Sequence, residues 1–512
     1  MGLLIGRSMG PIACSINPET RTGLARARPA RHVPTMPLFA AYRPDPQFMT
    51  LGPDFADPVA PAAFPKAELR FRNDRAAATV GLEALTDDEW RAAFARFEPL
   101  AGNQPTPLAM RYHGHQFRTY NPDLGDGRGF LFAQLREAGG DRLLDLAAKG
   151  SGRTPWSRGG DGRLTLKGAV REVLAAEMLE ALGVPTSRAF SLIETGEDLH
   201  RNDEPSPTRS AVLVRLSHSH IRFGTFQRHA YEGRADNIGR LIDHVVEAYY
   251  PHLAGLEGPA RALALLAAVT TASAQLTAAW MAAGFVHGVL NTDNLNITGE
   301  SFDYGPYRFL PRSDPNFTAA YFDQTGLYSF GRQPEAVFWN LQQLAACLTL
   351  VADDDALAAA LGDFPTAYRE ALAAAIIVRL GVIPRGETAD LALVNATFRL
   401  LAEGGEALGW EPLFFDWFGG EVSAGRALTG SRALVYAGEA FEAFRAALAG
   451  YAPDRPDRLG APYFHQAEPQ TLLYDEIETI WAAIDRGDDW APFHAKIAAI
   501  REAGTAWGLG AE

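Results

Sequence analysis

HGVLNTDN (residues 287–294) and DYG (residues 303–305) are the two short segments on which the interpretation of the fold depends. The first follows a predicted long helix, and the second comes soon after it. Asn294 and Asp303 offer an amide oxygen and a carboxylate, the hard oxygen ligands that Mg²⁺ prefers. The spacing therefore predicts a pair of magnesium ligands here.

The spacing of these residues is typical of kinase-like phosphotransferases. Those proteins use His-(Arg/Gly)-Asp, four further residues and Asn, and later Asp-x-Gly. His287 and Asn294 are in register with that pattern, but Val289 stands where a kinase has its catalytic aspartate. Valine cannot accept a proton. Either the chain is an inactive nucleotide-binding scaffold or another carboxylate acts, and Asp293 is the obvious candidate.

A lysine and a glutamate upstream complete the kinase-like order. Lys149 ends a predicted apolar strand, and Glu172 lies on the predicted helix Leu166–Leu182. A strand lysine that reaches ATP phosphates and is held by a helix glutamate is the kinase arrangement. An unrelated surface pair would explain these two residues alone.

A glycine-rich loop, GDGRG at residues 125–129, precedes the first of these strands. Gly125 and Gly127 would let backbone amides approach a phosphate, and Arg128 would add charge, although such a loop is often only a turn. More arginines than a kinase needs lie near the same motifs, and arginine forks bind phosphates in bidentate fashion. They are Arg153, Arg158, Arg163, Arg215 and Arg222.

The distribution of predicted elements indicates an α+β protein with a kinase-like, two-lobed fold. Short apolar runs predict strands at Phe130–Leu135, Leu143–Ala148, Ala189–Glu194 and Ser210–Leu216, the first two as a hairpin. Helical periodicity predicts helices at Thr86–Phe97, Asp243–Tyr250, Ala260–Ala283, Glu335–Val351, Ala356–Leu380 and Tyr474–Ile484. We predict a disordered or misassigned extension at 1–48, a β-rich N-lobe with the nucleotide loop at 49–230, and a large helical C-lobe with the metal-binding loop at 231–512.

Composition limits the classes of function. The formal net charge is −14, which disfavours binding to nucleic acid. The 2 cysteines, Cys14 and Cys347, form no disulfide framework or metal cluster, which favours a reducing, cytoplasmic location. The apolar stretch from Ala260 to Gly284 contains Arg261 and Gln275, so a buried helix is favoured over a membrane span. No pattern indicates an obligate partner, and a monomer is expected.

Four segments resemble the selenoprotein O family of protein adenylyltransferases and occur in that family's order. They are YHGHQFRTYNPDLGDGRG, AAKGSGRTPWSRGGDGR, RLSHSHIRFGTF, and HGVLNTDN with the later DYGP. The resemblance runs from about Phe97 to Arg332. It implies a pseudokinase-like fold that binds ATP in a flipped orientation, with the α-phosphate facing the acceptor. AMP would pass to Ser, Thr or Tyr of proteins, and pyrophosphate would leave.

The resemblance also implies roles for individual residues. Asp293 corresponds to the proton acceptor, and Asn294 and Asp303 correspond to the magnesium ligands. The positions that contact the nucleotide or support those contacts are Gly125, Gly127, Arg128, Lys149, Asp161, Gly162, Glu172, Arg215, Arg222 and Asp303. The tail TAWGLGAE departs from the family because it lacks the C-terminal cysteine or selenocysteine of many members, which puts thiol-based redox control in doubt.

ATP with Mg²⁺ is the expected cofactor pair, with Mn²⁺ as an alternative, and proteins that carry Ser, Thr or Tyr are the expected partners. Two other functions stay open at this point. One is an ordinary kinase-like phosphotransferase, and the other is a non-catalytic ATP-binding scaffold. Intact Asp293, Asn294 and Asp303 argue against the scaffold.

Overall fold

An antiparallel sheet dominates the first half of the chain. The computed structural model describes residues 41–202 and 204–509. The strands in these residues are β1 (Ala56–Pro58), β2 (Glu68–Arg72), β3 (Leu108–Met110), β4 (Gly114–Gln116), β5 (Thr119–Asn121), β6 (Gly129–Arg136), β7 (Leu143–Lys149), β8 (Leu164–Thr165), β9 (Arg188–Leu199), β10 (Thr208–Ser217), β11 (Phe285–Val286) and β12 (Arg308–Phe309). The main sheet has the order β1-β3-β6-β7-β10-β9-β2, with β8 beside β10, while β4–β5 and β11–β12 form two small separate ribbons.

Helices account for most of the second half. In the described residues they are α1 (Asp74–Ala78), α2 (Asp87–Phe94), α3 (Leu166–Ala181), α4 (Phe223–Tyr231), α5 (Ala235–Tyr249), α6 (Gly258–Ala282), α7 (Gln333–Leu348), α8 (Asp354–Leu361), α9 (Phe364–Arg379), α10 (Glu387–Leu408), α11 (Trp410–Asp416), α12 (Ala424–Thr429), α13 (Gly438–Leu448), α14 (Tyr474–Gly487) and α15 (Ala491–Trp507). The protein is thus a mixed α/β structure with one main antiparallel sheet, as the α+β prediction required.

The predicted hairpin is confirmed at the centre of the sheet. β6 and β7 pair antiparallel, with Gly129 opposite Lys149. Every residue of β7 is buried, which explains why the strand reads as an apolar run rather than an alternation. The one buried carboxylate within it, Asp145, is satisfied by hydrogen bonds from Gln134 Nε2 at 2.7 Å and the backbone N–H of His220 at 2.8 Å.

α3 packs across the sheet against β9 and β10. It begins where the Thr165 side chain accepts a hydrogen bond from the Gly168 N–H, an N-cap that satisfies one free backbone donor. The other face of α3 is covered by α15, and Arg501 binds the buried Glu177 through two hydrogen bonds of 2.7 Å. The end of the chain therefore returns to the β-rich half.

α6 is the one described helix that is long and apolar enough to cross a membrane. It packs instead against α7, α8 and α9, and 56% of its most apolar window is buried. Trp280 on this helix is fully buried and donates from Nε1 to Ser301 Oγ at 3.0 Å. These contacts are those of a core helix, the interpretation favoured from the sequence.

Two sequence predictions differ from the structure in detail. The sequence predicts a continuous helix over Ala356–Leu380, but the helix is interrupted at Gly362 and Asp363, and the next one begins at Phe364 with Pro365 in its first turn. Residues 41–48, grouped with the N-terminal extension, pack on the sheet: Tyr42 is buried, and Asp45 N donates to Gln134 O at 3.0 Å. The rest of that extension, residues 1–40, lies outside the described residues.

The contact between α15 and α3 can be tested at a helix glycine. A Cβ at Gly504 would lie 2.9 Å from the Cβ of Ala181, so Gly504→Leu should lower the free energy of unfolding by about 1–3 kcal/mol through overpacking. Gly239 in α5 is the matched control, because a Cβ there meets no atom within 4 Å. Gly239→Leu should raise stability by up to about 1 kcal/mol through helix propensity. Urea denaturation measures both, and equal effects would contradict the packing.

Candidate active site

A cleft of about 870 Å³ brings the predicted site residues together. Its walls come from the glycine loop before β6, the end of β7, the loop at 153–163, β10 and the loops that follow α6. Every predicted site residue except Glu172 lines the cleft. Glu172 lies behind Lys149, where the kinase-like arrangement requires it.

The predicted lysine–glutamate pair is formed. Lys149 Nζ donates to Glu172 Oε1, and both side chains are buried. The same ammonium group lies 3.2 Å from Asp303 Oδ1. A buried charge is costly unless it is paired, so the two carboxylates fix the lysine in the cleft.

Two arginines converge on the same aspartate. Arg215 Nη1 lies 2.5 Å from Asp303 Oδ1, and Arg222 Nη1 lies 2.7 Å from Asp303 Oδ2. Both guanidinium groups are almost fully buried. Asp303 therefore pairs with three cations, counting Lys149, and we call these four side chains the Asp303 cluster.

The electrostatics of Asp303 follow from this arrangement. Burial alone would raise the pKa of its carboxyl group, but Arg215, Lys149 and Arg222 outweigh burial and hold that pKa well below its usual range. Asp303 is therefore ionised at any physiological pH. Its backbone has a left-handed φ of 61°, an unfavourable conformation that occurs more often at functional sites than elsewhere.

Arg222 connects the Asp303 cluster to two further elements. Its Nη1 also donates to the backbone carbonyl of Asp293 at 2.7 Å, and its Nη2 lies 3.4 Å from Asp126 Oδ1. Asp126 is held by the backbone N–H of Met110, which donates to Oδ2 at 3.1 Å. One side chain thus fixes the glycine loop and the 287–294 segment relative to each other.

Asp293 is the proposed substitute for the missing kinase aspartate. Burial raises the pKa of its carboxyl group to about 6, and nearby Arg222 limits that rise. Its Oδ1 is buried and has no hydrogen-bond partner among the described residues. Gly114 packs against it, since a Cβ there would lie 2.9 Å from Oδ1. A carboxylate that lines a cleft and has a raised pKa is suited to accept a proton.

Asn294 and Asp303 fit a magnesium site by their chemistry. Asn294 Nδ2 donates to the carbonyl of Val289 at 3.0 Å, which leaves the amide oxygen to act as a ligand. No group of three or more His, Cys, Asp or Glu side chains in residues 41–202 and 204–509 could hold a metal ion by itself. A cation here would therefore need further oxygens from phosphates and water, which is how Mg²⁺ usually binds.

The glycine loop has a packing role that the sequence did not reveal. A Cβ at Gly125 would overlap the ring of Trp156, and a Cβ at Gly127 would lie 2.8 Å from the carbonyl oxygen of Trp156. Trp156 Nε1 in turn donates to Asp57 Oδ2 at 2.9 Å. The glycines therefore let two loops stack closely at the mouth of the cleft. Only the position of Trp156 within a Gly- and Arg-rich loop could have indicated this.

Asp161 and Gly162, assigned only through the resemblance, also lie at the cleft. Asp161 binds Arg201 through contacts of 2.7 and 3.1 Å and accepts from the Arg163 N–H at 2.9 Å. Burial opposes ionisation of Asp161, but Arg201 and Arg163 lower its pKa overall. Gly162 has a φ of 71° and packs on the backbone of Gly152, so a side chain there would be strained.

Three arginines at the cleft lack an acidic partner within the described chain. Arg128, Arg153 and Arg158 are exposed, line the cleft and form no ion pair there. Arg163, by contrast, pairs with Glu197 at 2.6 Å. Unpaired guanidinium groups around a cavity favour a polyanionic ligand, because no local carboxylate competes for them.

The chain is similar to proteins of one family over most of its length. A family model described as "Protein adenylyltransferase SelO" matches residues 39–501. A relative from Gloeobacter violaceus described as "Protein nucleotidyltransferase YdiU" is 48% identical over 472 residues, covering 90% of this chain and 95% of its own length. A protein of the same description from Synechocystis sp. is 46% identical over 470 residues, covering 88% and 96%. One from Aeromonas salmonicida is 39% identical over 358 residues, covering 70% and 73%.

From the Asp303 cluster we expect the free energy of unfolding to depend strongly on the carboxylate of Asp303. Asp303→Asn should lower the free energy of unfolding by about 3 kcal/mol, because three nearly buried cations lose their shared counter-charge. Asparagine tolerates the left-handed backbone, so the change is mainly electrostatic. Asp45→Asn is the control: Asp45 pairs with Arg136 at 2.7 Å but is more exposed, and its loss should cost less than about 1 kcal/mol. Equal losses in urea denaturation would contradict this account.

Proposed function

The chain belongs to the selenoprotein O family of protein adenylyltransferases, and we propose from this membership and the geometry of the cleft that it transfers AMP from ATP to hydroxyl groups of proteins. One observation carries the proposal. The carboxylate-bearing residue Asp293 lines the cleft beside a cluster of cations that matches the charge of a triphosphate. A positioned base next to neutralising charges is the arrangement that nucleotidyl transfer requires.

We propose that the fold is that of a kinase-like protein with two lobes. Support comes from the pairing of Lys149 on β7 with Glu172 on α3, and from the position of Asn294 and Asp303 in loops after α6. The cleft lies where these elements meet. The C-terminal helices α14 and α15 complicate a simple division at residue 230, because they pack on α3.

ATP would bind through the cations that line the cleft. Lys149, Arg215 and Arg222 already share one carboxylate, and phosphate oxygens can take up part of their hydrogen-bonding capacity. The unpaired Arg128, Arg153 and Arg158 supply further charge at the mouth. The resemblance implies a flipped nucleotide, and we adopt that orientation, with the α-phosphate towards Asp293.

Asn294 and Asp303 would hold the magnesium ion. When bound, the ion neutralises charge on the phosphates and helps to orient them. Asp303 can take this role only if its three cations shift part of their contacts from the carboxylate to the phosphates. In this proposal, the nucleotide and the metal ion take over part of the contacts that Asp303 and its three cations make with one another in their absence. Mn²⁺ has the same preference for oxygen ligands and remains an alternative.

The proposed reaction uses Asp293 as general base. The acceptor hydroxyl gives its proton to the carboxylate of Asp293 while its oxygen forms a bond to the α-phosphorus. The bond between that phosphorus and the bridging oxygen to the β-phosphate breaks, and pyrophosphate leaves with its electron pair. Ser, Thr and Tyr of proteins are the proposed acceptors. We also retain a cytoplasmic, monomeric protein as the working expectation.

The position of the isotope label in ATP distinguishes the candidate functions. With Mg²⁺ and a mixture of bacterial proteins, ATP labelled at the α-phosphate should label protein, while ATP labelled at the γ-phosphate should not. The reason is that AMP retains only the α-phosphorus. Label from the γ-position alone would instead indicate an ordinary phosphotransferase. Thermal stabilisation by ATP with no label from either position would indicate a non-catalytic scaffold.

Asp293→Ala tests the assignment of the base. Transfer from α-labelled ATP should fall about 10²–10⁴-fold, because a general base contributes that much to catalysis. Binding of ATP with Mg²⁺, measured as a thermal shift, should remain largely intact, because the cations of the Asp303 cluster are unchanged. Asp123→Ala, a change at an exposed aspartate that does not line the cleft, serves as the control. Full transfer activity in Asp293→Ala would refute the assignment.

A further inference from the structure

Two aromatic side chains next to each other in sequence are exposed in the segment between β12 and α7. Tyr321 is 81% exposed and Phe322 is 47% exposed. Within residues 41–202 and 204–509 they are the only exposed large apolar side chains that are consecutive in sequence. Exposed apolar groups gathered in one place commonly mark a binding surface, whereas single ones are ordinary.

A strained turn adds a third ring to this surface. Phe117 and Arg118 form the two-residue connection between β4 and β5, with left-handed φ values of 49° and 62°. Turns of this kind usually contain Asn-Gly, because other side chains are disfavoured there. The Phe117 ring lies 5.8 Å from that of Phe322. We call Phe117, Tyr321 and Phe322 the aromatic platform.

Residues next to the catalytic base hold the strained turn in place. Asn291 Oδ1 accepts hydrogen bonds from the Phe117 N–H at 3.0 Å and from the Tyr328 hydroxyl at 2.9 Å. Thr292 Oγ1 accepts from the His115 N–H at 2.7 Å. The two residues that precede Asp293 therefore fix the platform relative to the base. Strain that is maintained in this way is typical of functional sites.

The aromatic platform is continuous with the wall of the cleft. Gln116, the residue before Phe117, lines the cleft, and so does Val289. The loop that carries Tyr321 packs on the same segment, since a Cβ at Gly288 would lie 2.9 Å from the Cβ of Ala319. The surface therefore extends outward from the region of Asp293.

The charges at the edge of the platform are already paired. Arg118 Nη2 lies 3.0 Å from Glu335 Oε1, and Arg332 Nε lies 3.1 Å from Glu335 Oε2. The guanidinium group of Arg118 also lies over the ring of Trp339 at 5.3 Å. What remains available to a partner is the apolar surface of the rings, so the chemistry of the platform favours an apolar side chain over a charged one.

We propose that the aromatic platform binds the acceptor protein through a large apolar side chain close in sequence to the Ser, Thr or Tyr that receives AMP. The inference rests on the proposed function, because a hydroxyl that reaches Asp293 brings its neighbours in the chain across the adjoining surface. The occupant is an exposed, extended segment of the acceptor. Aromatic anchors at the centre of an interface commonly supply most of the binding free energy.

Two sets of synthetic peptides test the platform directly. Each fluorescein-labelled peptide has a central Ser, Thr or Tyr in a Gly/Gln background, with either Phe or Gln at the positions two before and two after it. Fluorescence anisotropy in the presence of Mg²⁺ and a non-hydrolysable ATP analogue measures binding. The wild type should bind the Phe peptides roughly tenfold more tightly than the Gln peptides.

The double variant Tyr321→Ser/Phe322→Ser should lose this preference while its thermal shift with ATP stays unchanged. Both side chains are exposed, so the fold should tolerate their loss. Leu434→Ser is the matched control, because Leu434 is 96% exposed and does not line the cleft. It should keep the preference of the wild type. Transfer of label from α-labelled ATP to the Phe peptides should likewise be retained in the wild type and in Leu434→Ser and be reduced in the double variant.

Three results would overturn the inference. The first is a wild type that binds Phe and Gln peptides equally. The second is a double variant that retains the preference for Phe. The third is a concentration-dependent dimer that the double variant abolishes, with no peptide preference, because the platform would then bind a second copy of this chain. If the wild type prefers Phe peptides but transfers no label, the platform stands and the proposed function fails.

Discussion

The carboxylate of Asp303 is shared by three cations, Lys149, Arg215 and Arg222, that would otherwise repel one another inside the protein. Lys149 comes from β7, Arg215 from β10, and Arg222 directly precedes α4. Because buried charges must be paired, one carboxylate joins the sheet, the start of α4 and the loop after α6. The cleft exists where these elements meet, and its excess of cations is the property that fits a triphosphate.

The end of the chain supports the same cluster from behind. Glu172, which holds Lys149, lies on α3, and α3 is clamped between the sheet and α15. Arg501 binds Glu177 one and a half helical turns further along α3. The C-terminal helices, which carry no recognisable motif, thereby fix the position of a glutamate that holds Lys149 at the cleft. These helices contribute through packing between distant parts of the chain, and no local residue pattern indicates such contacts.

The four consecutive residues 291–294 make different contacts and have different roles. Asn291 and Thr292 hold the strained turn that contains Phe117, while Asp293 lines the cleft. Asn294 donates from Nδ2 to the Val289 carbonyl, which leaves its amide oxygen available as a ligand at the proposed metal site. A short 3₁₀ turn at Thr292–Asn294 makes this possible, because successive side chains point in different directions around it. Asp293, four residues after Val289, is the carboxylate that we propose in place of the kinase aspartate.

Local signals in the sequence were sufficient to predict several strands and helices, and residue types and spacing were sufficient to predict a candidate site. The β6–β7 hairpin, α2 with its capping box and α3 follow from periodicity and capping, which act over a few residues. The order of Lys149, Glu172, Asn294 and Asp303 indicated a nucleotide site, because a motif records residue types and spacing. The tertiary structure alone decided that three cations share Asp303, that Trp156 explains Gly125, and that α15 covers α3. These contacts join residues far apart in the chain, and their energies depend on burial and geometry that no local pattern encodes.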